Sequence, residues 1–88
     1  MKRPAADPAL WIRGRQQLNM LGVKSLLYNR YRIFLVGADS VLRTPGMSHA
    51  DKVLLLKARV AHAVDKTGLD RKVLKNLLYS VLTFRLEE

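Results

Sequence analysis

The chain has 88 residues, of which 16 are Lys or Arg and 7 are Asp or Glu, for a formal charge of +9, and it is too short for more than one domain. It hides only about 60–65% of the surface its unfolded form exposes, and without cysteine it has neither disulfides nor a thiolate metal site to make up for a thin core. No run of about 18 apolar residues is present, which argues against a transmembrane helix, and the charge balance calls for an anionic partner.

Residues 1–8 contain Pro4 and Pro8 with few large apolar groups and read as an extended arm. The arm carries Lys2 and Arg3 but lacks the apolar core of a secretory signal; it resembles an organellar targeting region, and a plain basic tail has the same look. A helical pattern starts at Pro8, with Asp7 as N-cap and proline at the first helical position, and continues through Leu10, Trp11, Leu18 and Leu21. Gly14 and Gly22 weaken it, each interior glycine costing about 1 kcal/mol against alanine, so a break near Gly22 is expected.

A long helix is predicted over residues 23–43. At 100° per residue, Leu27, Tyr28, Tyr31, Phe34, Leu35, Ala38, Val41 and Leu42 share one side, and Asn29, Arg32, Asp39 and Arg43 are assigned to the other. The Tyr and Phe positions are read as core packing. Thr44-Pro45-Gly46 reverses the chain. Ser48 followed by Asp51 is a modified capping box for a helix over 49–66, with Val53, Leu56, Val60 and Val64 in one row and Leu54, Ala58 and Ala61 beside it, ending at Gly68. Asp70 caps a last helix over 70–86 that carries Val73, Leu74, Leu77, Leu78, Val81, Leu82 and Phe84. Arg71 and Lys72 early and Glu87 and Glu88 late oppose its dipole. The expected fold is all-α: a small antiparallel three-helix bundle over 23–88, preceded by a basic arm and short helical segment over 1–22.

Catalysis needs converging acids, bases or metal ligands. His49 and His62 lack the spacing to share a metal, and the acids are accounted for mostly as caps. No nucleophile elbow or phosphate-cradling glycine loop is found. The sequence therefore reads as a non-enzyme without cofactor or metal. The basic residues carry more information. Residues 1–46 hold 8 basic and 2 acidic side chains, against 8 and 5 in 47–88. Lys2, Arg3, Arg13, Arg15, Lys24, Arg30, Arg32 and Arg43 are interspersed with Trp11, Tyr28 and Tyr31, a mixture suited to phosphate pairing and base stacking and equally ordinary on an amphipathic helix.

Leu27-Tyr28-Asn29-Arg30 early in a helix, then Arg59, Asp65-Lys66-Thr67-Gly68-Leu69-Asp70, Leu74 and Leu77, resemble the LYR-motif family of small mitochondrial proteins over roughly residues 25–82. Two departures stand out: Asn29 interrupts a tripeptide that is contiguous in the family, and Ala61 and His62 stand where a phenylalanine usually follows the second-helix arginine. The resemblance implies three helices and a subunit or assembly adaptor on the mitochondrial matrix side, serving respiratory complexes, iron–sulfur machinery or ribosome assembly. It also implies binding of the acidic acyl carrier protein, with an acyl chain entering between helices, Tyr28 and Arg30 as motif residues and Arg59 as a second basic contact.

Two function classes follow. In one, Tyr28, Arg30, Arg32 and Arg59 grip an acidic protein such as acyl carrier protein. In the other, Lys2, Arg3, Arg13, Arg15, Lys24 and Arg43 lie on ribosomal RNA phosphates while Trp11 or a tyrosine stacks on an unpaired base. A membrane-surface helix fits less well, because tyrosines and arginines are not sharply segregated.

Overall fold

A computed structural model describes residues 8–86. Four helices follow one another: α1 (Pro8–Met20), α2 (Tyr28–Leu42), α3 (His49–Thr67) and α4 (Arg71–Leu86), with a 3-10 turn over Ser25–Leu27 leading into α2. No strand occurs among the described residues. Lys2, Arg3, the Asp7 cap and the acidic pair Glu87 and Glu88 lie outside them.

The first segment is a full member of the bundle. Leu10, Gly14 and Leu18 repeat every four residues and are all buried, which turns one stripe of α1 against α2 and α4. Gly14 has a packing role that outweighs its helix penalty. A β-carbon there would come within 2.9 Å of Leu35 Cδ2, so the glycine sets how closely α1 and α2 approach. Three intrachain bonds end α1, from Leu21 N–H to the Gln17 carbonyl, Gly22 N–H to that of Asn19 and Val23 N–H to that of Leu18. Gly22 adopts a φ of 74°, a conformation glycine tolerates without strain. Lys24 is extended, with ψ 136°. The helix predicted over 23–43 is therefore interrupted, and α2 proper begins only at Tyr28.

The apolar stripe of α2 is buried through Tyr31, Phe34, Leu35, Ala38 and Val41, with Leu27, Tyr28 and Leu42 half-buried. Asp39 corrects the predicted polar side. It lies one turn beyond Leu35 and its side chain is 1% exposed. Arg85 of α4 donates to it in bidentate fashion, Nε to Oδ1 at 2.6 Å and Nη2 to Oδ2 at 2.7 Å. Arg43 adds a third contact at 3.1 Å. This fork geometry fits guanidinium to carboxylate and leaves no buried side-chain polar atom without a partner among the described residues.

The cap predictions for α3 and α4 follow local chemistry. Ser48 Oγ accepts from Asp51 N–H at 3.1 Å, and Gly68 closes α3 with φ 67°. Asp70 Oδ1 accepts from Lys72 N–H at 2.8 Å and Val73 N–H at 3.2 Å. Asp70 N–H in turn donates to the Tyr31 hydroxyl at 3.0 Å, so the start of α4 is tied to α2 by a core tyrosine.

The residues with no exposure at all, Leu10, Leu18, Leu35, Ala38, Leu74, Leu77 and Val81, come from α1, α2 and α4. Those of α3, Leu56, Val60 and Ala63, retain 6–7%. The centre of the core is thus α1–α2–α4, with α3 laid mainly against α2 and touching α4 more sparsely. In α3 the second predicted row is covered only at Ala61, which is half-buried, while Leu54 and Ala58 are exposed.

Candidate partner-binding surfaces

The outward flank of α2 carries Arg30, Ile33 and Gly37, at i, i+3 and i+7. The facing flank of α3 carries Leu55, Arg59 and His62, at i, i+4 and i+7. Helical spacing places each trio on one side of its helix. Together, Gly37 aside, they line a groove of about 390 Å³ whose floor includes Phe34, Ala63 and Leu69. Gly37 matters by having no side chain: a β-carbon there would run into the Arg59 guanidinium. Arg59 can therefore lie against the α2 backbone.

Among the described residues, no Asp or Glu lines this groove, and neither Arg30 nor Arg59 makes an ion pair. Ile33 is 65% exposed and Leu55 42%. Exposed apolar side chains therefore share this groove with two cations that have no acidic partner among the described residues.

The structure brings together only part of the residue set that the sequence nominates for a protein partner. Arg30 and Arg59 share the α2–α3 groove. Arg32 projects elsewhere, its Cζ 5.4 Å from the centre of the Trp11 ring. Tyr28 is half-buried and lines a small cleft with Arg15, Gln16 and Asn19, between α1 and the start of α2. The guanidinium over Trp11 makes a cation–π contact, so the indole face assigned to base stacking already has an occupant.

The remaining RNA candidates divide in the same way. Arg13 rests over Phe84, 5.5 Å from the ring centre, and Arg43 is held by Asp39. Arg15 and Lys24 are exposed. Lys2 and Arg3 fall outside the described residues. The histidines lie in different places: His62 on the α2–α3 groove and His49 on a second groove, between α3 and α4. No cluster of three or more potential metal ligands occurs among the described residues.

No protein-family model, curated protein or solved structure matches the chain. The functional reading therefore rests on its own residues and on the motif resemblance.

Ile33, Leu55, Gly37 and His62 escape a reading of the sequence alone. Ile33 carries a legible signal, since it lies off the apolar stripe of α2, and it is exposed in the fold. Nothing in the sequence marks Gly37, whose role comes from the arginine of another helix. No helix among the described residues is long and apolar enough to cross a membrane.

Proposed function

We propose that the protein is a non-catalytic, basic helical subunit or assembly adaptor of a larger complex, and that its α2–α3 face receives an acidic protein. The observation that carries this reading is the pair Arg30 and Arg59, without carboxylate partners among the described residues, in one groove with exposed Ile33 and Leu55. The cations steer and orient an acidic partner, and the apolar pair supplies burial at the centre of the contact. The LYR-like residues Tyr28, Arg30 and Arg59 support the same reading from sequence. They make acyl carrier protein the first partner to test and the mitochondrial matrix side the compartment to examine.

The test is co-expression with acyl carrier protein, with complex formation read by size-exclusion chromatography and titration calorimetry. The unaltered chain forms the complex, while Arg30→Glu and Arg59→Glu each weaken it by at least about tenfold. No complex with the unaltered chain, or one indifferent to both reversals, sinks the reading. The competing ribosomal reading draws on exposed Arg15 beside Tyr28 and on exposed Lys24, together with the basic arm. It requires RNA binding by the purified chain at low salt that weakens steeply as salt rises, and it fails if no binding is seen at low salt.

A further inference from the structure

A second groove runs between α3 and α4, with a volume of about 630 Å³ and, among the described residues, no acid in its lining. Its floor is Leu42, Val53, Leu56, Val60, Leu78 and Leu82. Along α3 the lining extends from His49 to Val60, and along α4 from Arg71 to Leu82. Each wall therefore covers 11 residue steps, about 16 Å at helical rise, or three turns.

The rim is basic on both sides: His49, Lys52 and Lys57 on α3, Arg71 and Lys75 on α4. Lys52 is partly committed, since its Nζ donates to the Leu42 carbonyl at 2.8 Å at the end of α2. Lys57, Arg71 and Lys75 form no ion pair among the described residues. The acid that precedes Arg71, Asp70, has its carboxylate turned to the backbone N–H groups of Lys72 and Val73. Arg71 and Lys72 open a helix that has no acid in its first turn, an arrangement the helix dipole disfavours.

We infer that the α3–α4 groove is a second docking site, which takes an acidic amphipathic helix from a partner protein. An apolar trough of three turns between two helices suits the apolar ridge of a third helix laid into it. Cations spread along both walls match acidic residues on both flanks of such a helix. A single-headed amphiphile such as a fatty acid would need positive charge at one end only. A second copy of this chain, itself at +9, would bring repulsion in place of complementary charge. This site is separate from the α2–α3 face and stands whether or not acyl carrier protein binds there. With both sites, the adaptor holds two acidic surfaces at once.

The experiment titrates the full chain with a 15-residue peptide that has leucines at helical i, i+3/i+4 and i+7 spacing and glutamates on both flanks. Its controls are a lysine-flanked twin, a glutamate-flanked version broken by a central proline, and laurate. Calorimetry gives affinity, and amide and methyl chemical shifts give the footprint. The acidic helix binds, moves the signals of Val53, Val60, Leu78 and Leu82, and loses at least about tenfold in affinity with Lys57→Glu plus Lys75→Glu. Arg30→Glu leaves its affinity unchanged, which separates this site from the α2–α3 reading. Lys57→Ala plus Lys75→Ala, checked for native helicity by circular dichroism, gives a smaller loss in the same direction. The proposal is overturned by absence of binding, by equal affinity for either control peptide, by a footprint on α2–α3, or by saturable laurate binding without peptide binding.

Discussion

On the side of α2 toward α1 and α4, charge is consumed by the fold. Asp39 is held by Arg85 and Arg43, and Arg32 rests on Trp11. On the side toward α3, Arg30 and Arg59 meet no carboxylate among the described residues and share a groove with exposed Ile33. The same residue type thus does two jobs within one helix neighbourhood. A net charge of +9 overstates what is available to a partner, because several arginines are fixed by an acid or a ring. The useful quantity is the subset of cations left unpaired beside exposed apolar surface.

Substitutions on the two flanks separate these jobs. The largest effect is expected from Asp39→Ala, which strands the Arg85 guanidinium against the core and costs about 3–5 kcal/mol. Urea unfolding followed by circular dichroism measures it, and a loss below about 1 kcal/mol would mean that the pair has no structural role. Leu74→Ala, at a position with no exposure in α4, costs about 2–5 kcal/mol. Leu56→Ala in peripheral α3 falls at the lower end of that range. Equal losses at the two leucines would contradict a core centred on α1, α2 and α4.

Gly37→Ala sharpens the contrast in the opposite direction. Removing an interior helix glycine stabilises by up to about 1 kcal/mol, while the new methyl pushes the Arg59 side chain off α2. The expected variant melts no lower than the parent and binds the acidic partner more weakly. Unchanged binding would show that Arg59 need not lie against α2. The smallest stability effects belong to Arg30→Glu and Arg59→Glu, both within about 0.5 kcal/mol in thermal unfolding. A larger loss in either would move that arginine to the structural set.

Much of the fold is legible locally. Ser48 with Asp51, Gly68 and Asp70 each act within two to five residues of themselves, so their roles follow from sequence spacing alone. The buried stripe of α2 is readable for the same reason, since 3.6-residue periodicity is intrinsic to the helix. Asp39 is not, because its partner Arg85 is 46 positions away and a lone acid on a helix is ordinarily solvated. α1 is underestimated because Gly14 counts as a penalty in an isolated helix and becomes an asset only when Leu35 fills the space above it. Of the candidate site, Arg30 and Arg59 are visible through the motif resemblance, whereas the apolar neighbours that make the surface adhesive are not.

By itself, then, the sequence determined an all-helical chain, its capped boundaries from Ser48 onward and an excess of positive charge, because these depend on spacing, caps and composition. Only the tertiary structure decided that α1 belongs to the core and α3 to its edge, which cations are paired, and where two apolar grooves remain open. Those outcomes depend on which helix faces meet, and contacts between residues far apart in the chain leave no periodic trace in it.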